Sequence, residues 1–270
     1  MDEVAAIVEQ LWPGGGASFE RLGGGITNHN FKVVVGGEAL VLRIGGKDTE
    51  LLGIDRGQEH EATRVAAELG VGPEVVAFTE GCLVTRFVGG SPVAPGGLDP
   101  EKVGETLRLI HGGPSISARF DSFRVVEDYR RTAGLHGVAI PAAYADASRR
   151  AAAIEARRGN ASRRLCHNDL LTANFIDDGT RLWIVDWEYA GMGDPFFDLG
   201  NFAANNELDE DGERALLKAY GSAGALDALR DMRFMSDFRE AMWGVVQQGI
   251  SELDFDFAGY AERHFQRALG

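Results

Sequence analysis

The sequence predicts an α+β protein of two lobes, a small one built on an antiparallel sheet and a larger one built from helices. Short segments rich in β-branched and aromatic residues, separated by glycine turns, dominate the chain up to Val88. A connector rich in proline and glycine follows at 89–97, and apolar residues at helical spacing dominate beyond it. We therefore expect a first lobe over residues 1–88 and a second lobe over residues 89–270.

The first lobe is expected to hold five strands and two helices. Apolar residues at helical spacing predict an opening helix over 4–11, which ends at Trp12-Pro13. A second helix is predicted over 55–69, between the third and fourth strands, and it ends at Gly70. The glycine pairs and triplets between the other segments predict tight turns of antiparallel strands. The predicted strands are 18–22, 26–35, 39–44, 75–78 and 82–88.

Helices dominate the predicted second lobe. The first of them begins at Asp99-Pro100, where an N-cap residue precedes a proline at the first helical position. One hairpin interrupts the helices, with strands at 175–176 and 182–185 around the turn Asp177-Asp178-Gly179. The other predicted helices are 126–135, 142–157, 210–220, 227–249 and 257–269.

Composition narrows the possible functions. The chain has 27 basic and 41 acidic residues, for a net charge of −14. This balance argues against a nucleic-acid binder, which needs clustered Lys and Arg, and it favours attraction of small cations. Cys82 and Cys166 are too few for a disulfide scaffold and lack the spacing of a zinc site. The acidic start and the lack of a long apolar run predict a cytoplasmic protein without a membrane partner. We expect a monomer or a homodimer.

The strongest motif surrounds the hairpin. Residues 166–174 read CHNDLLTAN, which fits H-x-D-L-x-x-x-N, and Asp186 follows twelve residues after Asn174 at a strand end. Phosphoryl transfer needs one carboxylate at the acceptor hydroxyl, together with an amide oxygen and a second carboxylate on Mg²⁺. We therefore expect Asp169 to serve the hydroxyl, and Asn174 and Asp186 to serve the metal. Each residue alone could be a cap or a strand end, but their joint spacing favours catalysis.

This region resembles the catalytic loop of the choline-kinase-like and aminoglycoside phosphotransferases, a branch of the protein-kinase-like fold. Asn168 within the loop resembles the choline-kinase branch, as does the run Asp186-Trp187-Glu188-Tyr189, and residues 193–201 match the next block of that family. The resemblance implies a bilobal protein-kinase-like fold, ATP and Mg²⁺ as cofactors, and an alcohol as phosphate acceptor. It also implies that Asp198 accepts hydrogen bonds from the loop backbone.

The glycine-rich turn at 23–28 lies between two predicted strands, where backbone N–H groups can approach phosphate. Such turns are often only turns, but the resemblance places Gly24, Gly25, Thr27 and Asn28 at the nucleotide. The turn is no dinucleotide fingerprint, because Asn28 stands at the final glycine position, and the chain has no Walker A loop.

The resemblance also implies a cation on the third strand, beside the α- and β-phosphates, and Arg43 stands there. Arginine suits this role because it contacts phosphate oxygens bidentately and stays charged. The helix that follows should supply a carboxylate to orient Arg43. The family spacing favours Glu59 over Glu61, which we expect on the solvated surface. Thr85 and Phe87, near the end of the fifth strand, lie where a kinase hinge contacts adenine.

The acceptor is expected to be a small cationic alcohol, choline first. Trp243 and Tyr260 match positions of the aromatic box by which choline kinases hold a trimethylammonium group through cation–π attraction. Trp187 and Glu188 lie nearby in the motif, so we expect these four residues and Asp169 to contact the acceptor. At two box positions the chain departs from the eukaryotic pattern, with Glu240 in place of an aromatic and Asn205 in place of an acid.

Three alternatives remain open. The aromatic residues at helical spacing are equally typical of a core. Acidic residues within 207–211 could serve an aminoglycoside or thiamine-type phosphotransferase instead. An inactive, ligand-binding pseudokinase would usually have lost Asp169, Asn174 or Asp186, and all three are present.

Overall fold

A computed structural model describes residues 2–23, 28–46, 49–79, 81–94, 96–158 and 161–270, without the side chains of residues 2, 3 and 92. It confirms the predicted class, with a five-stranded antiparallel sheet in the first lobe and a helical second lobe. The division at residue 88 stays a prediction.

The sheet of the first lobe has the strand order β1-β2-β3-β5-β4, and every neighbouring pair is antiparallel. Its strands are β1 Ser18–Arg21, β2 Asn28–Val35, β3 Glu38–Gly45, β4 Val75–Thr79 and β5 Cys82–Arg86. Two helices accompany the sheet, α1 Asp2–Leu11 and α2 Arg56–Glu68. The predicted second helix is thus confirmed, and the side chain of Asp55 caps its start by accepting from the Gln58 N–H.

Side-chain alternation along β3 and β5 divides the sheet into two faces. Leu42 and Val84 are buried in one core cluster with Val8 of α1. Because successive side chains of a strand point to opposite faces, Arg43 and Leu83 face away from that cluster. This second face of the sheet forms one wall of the cleft described below.

The second lobe is built from seven α-helices within the described residues. They are α3 Pro100–His111, α4 Ser122–Leu135, α5 Ala143–Arg158, α6 Pro195–Asn205, α7 Glu210–Tyr220, α8 Leu226–Ile250 and α9 Phe257–Leu269. The sequence analysis assigns no helix to 195–205, although Asp194 caps α6 in the way that Asp99 caps α3. No helix among the described residues is long and apolar enough to cross a membrane.

Gly200 lies in the middle of α6, where glycine normally weakens a helix. An added methyl group there would meet the backbone of Met232 and Arg233 on α8, so the glycine allows the two helices to pack closely. We expect Gly200→Ala to lower the free energy of unfolding by ~1–3 kcal/mol, because the methyl group forces the helices apart. Gly134→Ala in α4 meets no atom within 4 Å and is the matched control, expected to stabilise slightly in the same denaturant titration.

Short strands complete the second lobe. They are β6 Ser91–Pro92, β7 Arg164–Cys166, β8 Phe175–Asp177, β9 Leu182–Ile184 and β10 Gly191–Gly193. The predicted hairpin is confirmed as β8 and β9. The Pro/Gly-rich connector at 89–97 also contains the short strand β6, which was not predicted and which pairs with β8. The β7–β10 pair was not predicted, since three-residue strands carry too little alternation to be recognised.

Candidate active site

The loop between β7 and β8 contains the predicted catalytic motif. Its backbone is held by hydrogen bonds to a side chain of α6. Asp198 is fully buried, and its two carboxylate oxygens accept hydrogen bonds from the backbone N–H groups of His167 at 2.8 Å and Asn168 at 2.7 Å. These bonds confirm the expectation for Asp198. Asn168 has φ of 66°, a left-handed conformation that a non-glycine residue adopts at a cost and that the surrounding bonds sustain.

His167 joins this loop to the segment after β9. Its Nδ1 accepts from the backbone N–H of Asp169 at 3.2 Å, so its Nε2 carries the proton and donates to the carbonyl of Val185 at 3.0 Å. Burial lowers the pKa of His167, which keeps the ring neutral in this role. The histidine therefore fixes the distance between the two parts of the motif.

The three predicted polar residues meet where the loop and the hairpin converge. The Nδ2 of Asn174 donates to the backbone carbonyl of Asp169 at 2.8 Å and lies 3.4 Å from its Oδ2. Asp186 has φ of 69°, a left-handed conformation, and its Oδ1 accepts from Nη1 of Arg43 at 2.5 Å. The side chains of Asn174, Asp186 and Arg43 all line one cleft.

Arg43 connects the two lobes at this point. Its Nη1 lies 2.7 Å from Oε1 of Glu59 on α2 as well as beside Asp186. Burial disfavours the guanidinium, but Asp186 and Glu59 together hold the pKa of Arg43 above its ordinary value. The Arg43–Glu59 contact is the one that the family spacing predicts. Glu61 instead accepts from Ser117 near the surface, as expected of a residue outside the site.

Arg56, at the start of α2, extends this network, and the sequence analysis missed it. Its Nη1 lies 2.7 Å from Glu59 and 3.2 Å from Glu188, and its Nη2 donates to Oδ1 of Asn28 at 2.7 Å. Asn28 in turn donates to Oε2 of Glu188 at 2.8 Å. The spacing of three residues between Arg56 and Glu59 on a helix is the signal that could have identified it.

A cleft of about 370 Å³ lies between the sheet and the β8–β9 hairpin. Its walls combine apolar side chains with the polar group around Arg43, which suits a flat aromatic base joined to a charged tail. Thr85 and Phe87 line it, as predicted for the hinge. Gly24, Gly25 and Thr27 lie outside the described residues, so their predicted contacts stay predictions. The apolar lining includes Val41, Leu83, Ile176 and Val185.

Two of the residues expected at the acceptor, Trp187 and Glu188, make contacts that the sequence did not predict. Trp187 is 1% exposed, packs against His167, and donates its indole N–H to the carbonyl of Ile184 at 2.9 Å. It is therefore a core residue that supports the loop, contrary to the sequence prediction. Glu188 is bound by Asn28 and Arg56 of the first lobe, so these contacts join the two lobes, and its negative charge also contributes to raising the pKa of Asp169.

Trp243 and Tyr260 do come together, with their rings edge to face and centroids 5.6 Å apart. Glu240 lies one helical turn before Trp243, and its Oε2 accepts from the Tyr260 hydroxyl at 2.6 Å. Burial works against its ionisation, but Arg239 and the Tyr260 hydroxyl hold the pKa of Glu240 below its ordinary value. This corner therefore combines two aromatic rings with an ionised carboxylate.

Asp169 contacts Asn174, which lines the cleft, and Arg239, which is bound to Glu240 of the aromatic corner. Burial raises the pKa of Asp169 to about 7, while the guanidinium of Arg239 opposes that rise. The carboxylate therefore lies in surroundings that favour a group able to take up a proton near neutral pH.

The donors around the cleft fit a magnesium ion. Asn174 offers an amide oxygen and Asp186 a carboxylate, and such hard oxygen ligands are the type that Mg²⁺ prefers. Because the Asn174 amide directs its nitrogen to Asp169, its oxygen remains for a further partner.

Another group of side chains that can bind metals is buried below the loop. It consists of His111, Cys166 and Asp198. Burial raises the pKa of Cys166 well above its ordinary value, which disfavours the thiolate a metal would need.

A profile of the phosphotransferase enzyme family matches residues 18–238 of this chain. A solved choline/ethanolamine kinase family protein from Mesorhizobium loti is 33% identical and covers 99% of this chain and 93% of its own, with a TM-score of 0.84. The choline kinase LicA from Streptococcus pneumoniae is 24% identical over 99% of this chain and 98% of its own, with a TM-score of 0.82. At 24% identity, the similarity to LicA is evidence for the fold and not for the activity or the substrate.

A curated relative matches over a shorter segment. Ethanolamine kinase 2 of Homo sapiens is 32% identical in an alignment 126 positions long, and the match covers 38% of this chain and 33% of that relative. The matched segment thus covers about a third of the length of that relative.

Proposed function

Because the chain belongs to the phosphotransferase enzyme family, and to the choline/ethanolamine kinase family within it, we propose that it transfers the γ-phosphate of ATP to the hydroxyl of a small amino alcohol, with choline as the first candidate. The convergence of Asp169, Asn174, Asp186 and Arg43 at one mouth of an interlobe cleft carries the proposal. The names of the relatives, choline kinase and ethanolamine kinase, support the acceptor class.

In this proposal the cleft holds the nucleotide. The apolar walls near Thr85 and Phe87 receive adenine. Gly24, Gly25 and Thr27, which lie outside the described residues, remain predicted contacts of the phosphates. Arg43 neutralises phosphate charge, and Glu59 keeps its guanidinium in place from the other side. Arg43 also contacts Asp186, so the proposed phosphate and metal sites adjoin each other.

Asn174 and Asp186 are the proposed ligands of Mg²⁺. When bound there, the ion supplies positive charge to the β- and γ-phosphates as charge develops during transfer. The role of the chain is to present an amide oxygen and a carboxylate on a rigid loop and hairpin. The hydrogen bonds of His167 and Asp198 hold these two elements in place.

Asp169 is the proposed catalytic base. It lies beside Asn174, which lines the cleft, and 3.3 Å from the buried Arg239, which is bound to Glu240. From there its carboxylate can align the acceptor hydroxyl toward the γ-phosphate and accept its proton late in the transfer.

The corner of Trp243, Tyr260 and Glu240 is the proposed site of the acceptor cation. Aromatic faces attract a quaternary ammonium, and the ionised Glu240 adds a negative charge beside them. Two of the four acidic residues that could serve an aminoglycoside are engaged within the protein, since Glu210 pairs with Arg214 and Arg230, and Asp209 caps α7. The observations therefore favour the amino alcohol.

We expect Trp243→Ala to raise the KM for choline by up to about thirtyfold with the KM for ATP unchanged, since it removes a cation–π contact of ~0.5–2 kcal/mol. Steady-state kinetics with choline and ATP varied in turn would measure both constants. Trp183→Ala is the matched control, because Trp183 lies on the hairpin and donates to Asp178. An unchanged KM for choline in Trp243→Ala would show that the aromatic pair serves only the core.

A substrate panel tests the proposed function. Choline, ethanolamine, thiamine, sugars and aminoglycosides would each be supplied with Mg-ATP and assayed for ADP release. Saturable turnover of choline or ethanolamine is expected. Turnover of an aminoglycoside without either amino alcohol would overturn the acceptor class, and no acceptor-dependent release from any compound would overturn the kinase proposal itself.

A further inference from the structure

Arg239 of α8 lies against the proposed catalytic base, yet the activity described above assigns it no role. Its side chain is 2% exposed, and its Nη1 lies 3.3 Å from Oδ1 of Asp169. A guanidinium is rarely buried to this degree, because removing its charge from water is expensive unless it is paired. The presence of this cation in the core therefore needs a reason.

A chain of contacts holds Arg239 in one position. Nη1 also donates to Oε1 of Glu240 at 2.5 Å, and the other oxygen of Glu240 accepts from the Tyr260 hydroxyl. The guanidinium carbon lies 4.4 Å from the centre of the Tyr189 ring, in a cation–π contact. Tyr260, Glu240 and Arg239 thus form a continuous link from α9 to the catalytic loop.

The same guanidinium is poorly satisfied for a residue that only stabilises the core. Its Nε and Nη2 are buried and make no hydrogen bond of good geometry among the described residues, although the guanidinium interacts with the hydroxyl of the buried Tyr129. Each buried donor without a partner destabilises the folded state, so packing alone would favour an apolar side chain here. The arrangement is typical of a site where stability is given up for function.

Asp169 has little else to orient its carboxylate. Among the described residues, the other side chain that donates to it is Asn174, at 3.4 Å from Oδ2. A carboxylate held by so few bonds could rotate away from the line between the acceptor oxygen and the γ-phosphate. Because misplacement of a reacting group by about 1 Å can reduce a rate about a hundredfold, a second fixed donor has a large effect on turnover.

Resting on the proposed function, we propose that Arg239 is a positioning residue, which fixes the carboxylate of Asp169 for the acceptor hydroxyl and is itself fixed by Glu240 and Tyr260. The geometry also links the acceptor corner to the base, because Glu240 contacts both Arg239 and Tyr260. Nothing in this role requires Arg239 to touch the substrate.

Arg239→Lys and Arg239→Met test this role through kcat and KM. Both variants are expected to lower kcat, by about tenfold for Lys and about a hundredfold for Met, with the KM for ATP unchanged. Lysine keeps the charge but loses the planar fork, so its partial rescue separates charge from geometry. Arg233→Met, on the same helix, breaks an ion pair with Glu213 and is expected to leave kcat unchanged.

Arg239→Met leaves the carboxylate of Glu240 without its cation, which is a risk for folding. The double variant Arg239→Met/Glu240→Gln removes both charges. If thermal unfolding shows that Arg239→Met is destabilised, the kcat of the double variant is measured instead and is compared with the kcat of Glu240→Gln alone.

The decisive measurement repeats the Arg239 substitution in the Asp169→Asn background. If Arg239 acts through Asp169, its substitution has little effect once the carboxylate is gone. In the Asp169→Asn background, the Arg239 substitution should therefore lower kcat by less than about threefold. An equal loss in both backgrounds, or no loss beside an intact Asp169, would overturn the positioning role. Absence of phosphate transfer by the wild type would instead overturn the proposed function, and this role with it.

Discussion

Asp169→Asn is expected to lower kcat by ~10²–10⁴ and to leave ATP binding nearly intact. Asparagine has almost the shape of aspartate and can still accept the hydrogen bond from Arg239, but it cannot take a proton from the acceptor hydroxyl. Because Asn174 and Asp186 are unchanged, the proposed metal and nucleotide contacts remain. Single-turnover kinetics at saturating ATP, together with calorimetric titration of Mg-ATP, would measure the two quantities separately.

The comparison needs a control for the loop itself. Asp169→Asn should unfold at nearly the wild-type temperature, since Asp198 still holds the loop backbone through His167 and Asn168. If the substitution weakened ATP binding as much as it lowered kcat, Asp169 would be a metal ligand or a structural residue and not the base.

Asp186→Ala is expected to abolish the binding of ATP that depends on Mg²⁺. Asp186 is the charged member of the proposed ligand pair, and the remaining amide of Asn174 is too weak a ligand to hold the ion alone. The substitution also frees Arg43 from one of its two carboxylates, so weak binding of ATP without metal should survive. Calorimetric titrations with ATP, in Mg²⁺ and in EDTA, would separate these two contributions.

Asp177→Ala gives a matched control on the same hairpin. Asp177 ends β8 and pairs with Lys102, 3.4 Å away near the surface, so its loss should leave binding of Mg-ATP unchanged. A Mg²⁺ titration of Asp186→Ala that matched the wild type would show that Asp186 is not a ligand, whatever its effect on turnover.

The sequence predicted those parts of the site that depend on short spacing. The run from Cys166 to Asn174 and the return of Asp186 lie on one loop and one hairpin, and local turn chemistry determines both. The contact of Arg43 with Glu59 was predicted from the resemblance to the kinase family, whose spacing favours Glu59 on the helix after the third strand.

Contacts between distant segments could not be predicted in this way. Arg56 and Glu188 are 132 residues apart, and Arg239 and Asp169 are 70 apart, so no local pattern relates either pair. A charged residue in a helical pattern indicates a solvated face by default, whereas Arg239 lies in the core because Glu240 pairs with it. Trp187 shows the opposite error, since an aromatic residue within a motif is equally typical of the core.

Transfer of the γ-phosphate of ATP to an amino alcohol can be followed by ³¹P NMR of the protein with Mg-ATP and either choline or ethanolamine, beside the same mixture with Asp169→Asn. For the wild type we expect a phosphomonoester signal that grows in step with ADP, and for the variant almost none. ADP accompanied only by inorganic phosphate, or equal phosphomonoester from both proteins, would overturn the proposed transfer.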